Sequence, residues 1–223
     1  MADWVTISSL ATAGGTLALA VATYSSVRSA NRSARVAERS LEIGLRPVLA
    51  ASRWDDPPLK VDFGDRHRIK LMGGTAVIEE AGEVVYLALS VRNVGAGLAV
   101  MHGWHLSERA ALFAPDGREP ETRSTAPTTH PPEDAFRITR RSIYIPAGDV
   151  GFWQGAIRDP ADPFRDLARS ALRDRTELWL DILYGDHEDG QPTITRFGLI
   201  PREEGEAFSA SVGRHWSLNR EQI

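Results

Sequence analysis

Two hydrophobic patterns divide the chain. From Trp4 to Val27 no residue is charged, and small and apolar side chains run on for 24 residues. As a helix that run is about 36 Å long, enough to cross a hydrocarbon core of about 30 Å. Trp4 and Tyr24 stand near its ends, where amphipathic rings favour the lipid–water interface. From Arg28 to Leu45 the pattern stays helical, with Val27, Ala30, Ala34, Ala37 and Leu41 at alternating spacings of three and four. Gly44 and Pro47 supply a stop. The transmembrane helix is therefore predicted to run on as a juxtamembrane rod.

Beyond Arg46 the period changes to two. Strands are predicted over residues 47–51, 66–72, 83–93, 99–106, 136–145, 150–157, 177–184, 193–200 and 207–212. The clearest has Val85, Leu87, Leu89 and Val91 alternating with Tyr86, Ala88, Ser90 and Arg92. The turns Pro146-Ala147-Gly148-Asp149 and Glu188-Asp189-Gly190 fall between strands, as in an antiparallel sandwich. One helix breaks the series, over 163–173, with Asp162 as N-cap, Pro163 as first residue and an apolar face of Phe164, Leu167, Ala171 and Leu172. Residues 115–134 hold five prolines and almost nothing apolar, so a long surface loop is expected there. The domain plan is an anchor (1–27), a connector helix (28–46) and a β-sandwich domain (47–223).

Charge gives the plan an orientation. Five arginines (Arg28, Arg32, Arg35, Arg39, Arg46) and two glutamates make residues 28–46 net +3, while the whole chain is -4. Only Asp3 and the amino terminus precede the apolar run. By the positive-inside rule the N-terminus lies outside and the C-terminal domain in the cytoplasm. Arg28, Arg32, Arg35 and Arg39 would then meet anionic lipid headgroups, with residues 4–27 in the bilayer. The rival is secretion after signal cleavage at Ala18-Leu19-Ala20 or Ala20-Val21-Ala22, but a signal peptide carries its positive charge before the apolar run. Small residues four apart (Ala11 and Gly15, Gly14 and Ala18, Ala18 and Ala22) favour close approach of another helix, and hence a homo-oligomer.

The chain has no cysteine, which excludes disulfides and thiolate metal sites. An acidic total gives no case for nucleic-acid binding. No phosphate-binding glycine loop or nucleophile elbow occurs, so no cofactor and no catalytic residue is implied. His102 and His105 are three apart, which on a strand places them on opposite faces and argues against joint metal ligation. Asp186, Glu188 and Asp189 gather around His187 as candidate cation ligands, though a hairpin loop accounts for the same residues. Trp216, His187 and Arg123 are candidate partner contacts. Trp216 alternatively packs back onto the sandwich or the connector.

The string Val91-Arg92-Asn93-Val94-Gly95-Ala96-Gly97-Leu98-Ala99 resembles a strand-turn signature of immunoglobulin-like domains of the CARDB group. The layout of anchor, arginine-rich helix, Arg-Pro and then this strand resembles membrane-anchored actinobacterial proteins of unknown function. The resemblance implies an immunoglobulin-like sandwich and no enzymatic activity. Locally, Asn93 is expected to bond its own backbone, and Gly95 and Gly97 to allow positive φ or a bulge. The sequence thus predicts a mainly β, immunoglobulin-like antiparallel sandwich behind one long N-terminal helix. It is expected to act as a membrane-anchored binding or scaffolding protein with an unknown protein partner. The alternatives are a metal-dependent hydrolase built on the 186–189 loop and a structural subunit of a larger membrane complex.

Overall fold

A computed structural model describes residues 4–109, 129–139, 141–187, 190–203 and 207–218, and of residues 4–9, 11, 42 and 43 the backbone alone. The chain divides into two units, Met1–Leu45 and Arg46–Ile223.

The first unit is one unbroken helix, α1 (Trp4–Gly44), of 41 residues. The uncharged run and the arginine-rich stretch are one rod, about 60 Å long at the helical rise. Its hydroxyls turn inward on the backbone. Thr16 donates to the Thr12 carbonyl (2.9 Å), Thr23 to that of Leu19 (2.8 Å) and Ser25 to that of Ala22 (2.8 Å). Among the described residues no helix is both long and apolar enough to cross a membrane.

The second unit is mainly antiparallel β. Its strands are β1 (Leu49–Ala51), β2 (Leu59–Asp62), β3 (Arg68–Leu71), β4 (Thr75–Ala81), β5 (Val84–Asn93) and β6 (Ala99–Glu108). There follow β7 (Arg137–Ile138), β8 (Tyr144–Ile145), β9 (Val150–Ile157), the helix α2 (Pro163–Asp174), β10 (Leu178–Gly185), β11 (Thr193–Pro201) and β12 (Ala207–Ser217). One ten-stranded sheet runs β1-β5-β4-β12-β11-β10-β6-β7, with β8 also on β6 and β9 on β5. The hairpin β2–β3 forms a separate two-stranded sheet.

Alternation builds the core. Val85, Leu87, Leu89 and Val91 of β5 face Leu178, Leu180, Ile182 and Tyr184 of β10 and Phe197 and Leu199 of β11 in one cluster. Tyr86 and Ala88, on the opposite face of β5, join Val61, Ile69 and Leu71 under the β2–β3 hairpin. Helix α2 packs on β4, β5 and β6 through the predicted face, with Ala168 and Ala171 fully buried. Asp162 caps it as expected, accepting from Phe164 N at 2.8 Å.

The structure departs from the sequence reading in three places. Strands β2 and β4 are additional. The predicted strand over 136–145 is two short pieces, because the chain leaves β6 after Thr139 N bonds the His102 carbonyl (2.8 Å) and rejoins where Met101 N bonds that of Ile143 (3.1 Å). Within β6 the register against β10 slips between Leu183 and Tyr184, a bulge at His102.

Asn93 fastens the turn after β5. Fully buried, its Oδ1 accepts from Val48 N (3.2 Å) and Gly95 N (3.0 Å), and its Nδ2 donates to the carbonyls of Gly97 (2.6 Å) and Ile145 (3.0 Å). The glycines serve a different end from the one expected, since neither Gly95 nor Gly97 has positive φ. A Cβ on Gly95 would lie 2.8 Å from the Pro47 carbonyl carbon. Gly95 is there so that the backbone leading into β1 can cross it.

Candidate functional site

Two edges of the sheet approach each other. Strand β9 bonds only β5, while β7 and β8 bond only β6. Across the gap Trp104 of β6 meets Trp153 of β9 edge to face, at 5.3 Å between centroids. A Cβ on Gly151 of β9 would touch the Ile145 side chain of β8 at 2.8 Å. Below that contact the edges diverge and leave a cleft of about 590 Å³, within the size range of small-ligand pockets.

The cleft walls come from segments far apart in sequence. Trp104 and Phe63 supply aromatic surface, Gln154, Gly155 and Ala156 come from β9, and Arg137, Ile138, Thr139 and Arg141 from the opposite edge. Arg158, Asp159 and Asp162 come from the turn leading into α2.

The acidic groups here are already engaged. Asp162, almost fully buried, caps α2 and pairs with Arg137, whose guanidinium lies 4.6 Å from the Phe164 ring centroid. Asp159 accepts from Ala161 N in its own turn (2.9 Å). Arg158 donates to Asp65 at 2.8 Å. That guanidinium, with the Tyr86 hydroxyl, holds the Asp65 carboxyl down at about 2. Arg141 is exposed and makes no ion pair or hydrogen bond among the described residues. Two further polar atoms on the walls, Thr139 Oγ1 and Gln154 Oε1, are buried without a hydrogen-bond partner.

A second cavity of about 560 Å³ adjoins it, sharing Ile138 and Thr139, with His102, Glu133, Phe136, Tyr144 and His187 on its walls. The bulge in β6 corrects the expectation for the histidine pair. His102 lines this cavity beside Phe136, and the His105 ring lies 6.0 Å from the same Phe136.

The other candidates from sequence are scattered. Asp186 accepts from Gly190 N (2.7 Å) and so closes the hairpin loop after β10. His187 is exposed at the second cavity. Glu188, Asp189 and Arg123, with most of the loop 115–134, lie outside the described residues. Among the described residues no group of three or more His, Asp or Glu is placed to hold a metal. Trp216 is half-buried against the sheet, with the guanidinium of Arg196 at 4.9 Å, that of Arg214 at 5.8 Å and the His130 ring at 6.0 Å.

No family model, curated protein or solved structure matches the chain.

The cleft itself was not foreseen. Its one sequence signal was the cap Asp162, read there only as a helix start.

Proposed function

We propose that the protein is a single-pass membrane-anchored binding protein, with α1 in the bilayer, N-terminus outside, and the β unit in the cytoplasm. The observation that carries this is the state of α1. Leu10, Leu17, Leu19, Val21, Tyr24 and Val27 are each more than half exposed. The run has no charged face to turn to water, which sets it apart from a surface helix. Its hydroxyls are bonded to the helix's own carbonyls, so their entry into hydrocarbon costs less. Val5 and Ile7 extend the apolar run in sequence ahead of Leu10. Beyond it Arg28, Arg32, Arg35 and Arg39 are exposed, a charge that suits anionic headgroups.

We read the β unit as an immunoglobulin-like sandwich. One layer is β9-β5 with β4 and β1, the other β12-β11-β10-β6 with β7 and β8. Among the described residues the strand pairing of Ala207, Phe208 and Ser209 with Val77, Ala76 and Thr75 joins them, the kind of corner at which a sheet folds over. The binding function rests on the cleft and the adjoining cavity, which includes the candidate contact His187.

A topology assay tests the anchor. Alkaline phosphatase fused to the C-terminus is expected to be inactive, a fluorescent protein there to be bright, and the chain to resist extraction from membranes by alkaline carbonate. An active phosphatase, or release by carbonate, overturns the reading.

A further inference from the structure

We infer that the cleft between the two sheet edges binds a phosphate monoester that carries an apolar or aromatic body. The inference deepens the binding half of the proposed function by naming a ligand class. It stands on three features of the same walls.

The first is charge. Arg137, Arg141 and Arg158 line one cavity of about 590 Å³; Arg137 is held there by Asp162 and Arg158 by Asp65, while Asp159 is bonded within its own turn. Arg141 makes no hydrogen bond or close ion pair among the described residues, and its charge acts only at longer range on Asp62. A phosphate dianion offers three acceptor oxygens and matches guanidinium forks better than a single carboxylate does. The second is unspent hydrogen bonding. Thr139 Oγ1 can donate to an anion, and Gln154 Oε1 can accept from a hydroxyl next to the ester. Buried polar atoms without partners are uncommon, and among the described residues two belong to side chains of these walls. The third is aromatic surface. Phe63 and Trp104 give an apolar body a place to pack while the phosphate stays at the arginines.

The test is calorimetry on the full chain in neutral detergent, with phenyl phosphate as probe. The wild type is expected to bind saturably, and Arg141→Ala to bind at least about tenfold more weakly, a loss of about 1.4 kcal/mol. Arg141 is exposed and makes no close ion pair among the described residues, so this variant is expected to fold as the wild type does. Arg173→Ala, on the exposed side of α2, serves as control and is expected to bind normally. Equal binding by Arg141→Ala and wild type overturns the proposal, as does the absence of saturable binding. Inorganic phosphate binding as tightly as phenyl phosphate overturns the role of the aromatic wall. Nanodiscs containing phosphatidic acid separate the two sources of this chemistry. If they compete with phenyl phosphate through Arg141, the natural ligand is a lipid headgroup; if they do not, it is a soluble monoester. Failure here leaves the anchor standing, because the reporter fusion tests that separately.

Discussion

Asn93 concentrates more of the fold than any neighbour. Its single amide ties β1, the turn to β6 and the end of β8. Truncating it strands four backbone groups, one buried and three partly buried, each a cost of about 1 kcal/mol. Asn93→Ala is therefore expected to lose about 3–4 kcal/mol in urea denaturation. Asn93→Asp keeps Oδ1 but turns a second carboxylate oxygen on the carbonyls of Gly97 and Ile145 in a buried site, and is expected to lose at least as much at pH 7. A loss below about 1 kcal/mol for the alanine would mean that water replaces the amide. The pair Asp181 and Arg196 is the second concentration. Fully buried, it is joined by two bonds of 2.7 and 2.9 Å, with Trp179 and Trp216 against the guanidinium. Asp181→Ala takes the carboxylate away from a buried cation and is expected to cost about 3–5 kcal/mol. Adding Arg196→Met removes that cation and is expected to restore about half of the loss, as a double-mutant cycle would measure.

At the level of elements, legibility followed periodicity. Strand β5 has both faces buried in separate clusters, and its alternation of large apolar side chains was plain. Strand β9 and helix α2 announced themselves through flanking turns and a cap. Strand β4 did not, because its second half carries Glu79 and Glu80, which pair with His67 and Arg169 respectively. Strand β2 begins just after Pro57-Pro58 and has one fully buried residue, Val61. Short elements of that kind are stabilised by what they cover, here Tyr86 and Ala88, which no local pattern reveals. The hairpin β2–β3 makes a testable element. Its turn residue Asp65 accepts from Tyr86 of β5 and from Arg158 after β9, so one carboxylate fastens the flap to the sheet. In the folded state this carboxyl titrates at about 2, against 3.8 as the ordinary value. A depressed folded value means that the stabilisation is complete above about 4 and is lost as pH falls toward 2. Asp65→Asn is expected to lower the denaturation midpoint at pH 7 and to flatten its fall between pH 4 and 2. An acid limb unchanged by the substitution would remove Asp65 from the account.

At the scale of the whole molecule, the sequence marked the boundary well and the site poorly. Gly44 and Pro47 located the end of α1 from local chemistry alone. The cleft draws Phe63, Trp104, Arg137, Gln154 and Arg158 from five segments, and only closure of the sheet brings them together. Arg46 changed its role between the two readings. Counted by sequence among the collar arginines, it belongs to the β unit, where its guanidinium donates to Thr193 (3.1 Å) and to Ser217. It also lies near a chain of hydroxyls in which Leu49 N donates to Tyr184 Oη (3.1 Å), Tyr184 meets Thr195 (2.9 Å), and Thr195 meets His215 Nδ1 (2.8 Å). Partial burial, and then the Arg46 charge, push the His215 ring below its ordinary value, so its neutral form suits an acceptor. These contacts make Arg46 the first residue that the β unit needs. A chain of residues 46–223 is expected to stay soluble without detergent and to unfold cooperatively, at the midpoint the β unit has in the full protein. One beginning at Leu49 loses the Arg46 bonds and the Pro47 crossing over Gly95, and is expected to be less stable by about 2 kcal/mol. If instead the 46–223 chain melts earlier than the β unit of the intact protein, then α1 contributes to the fold itself, and the division at Leu45 is not an energetic one.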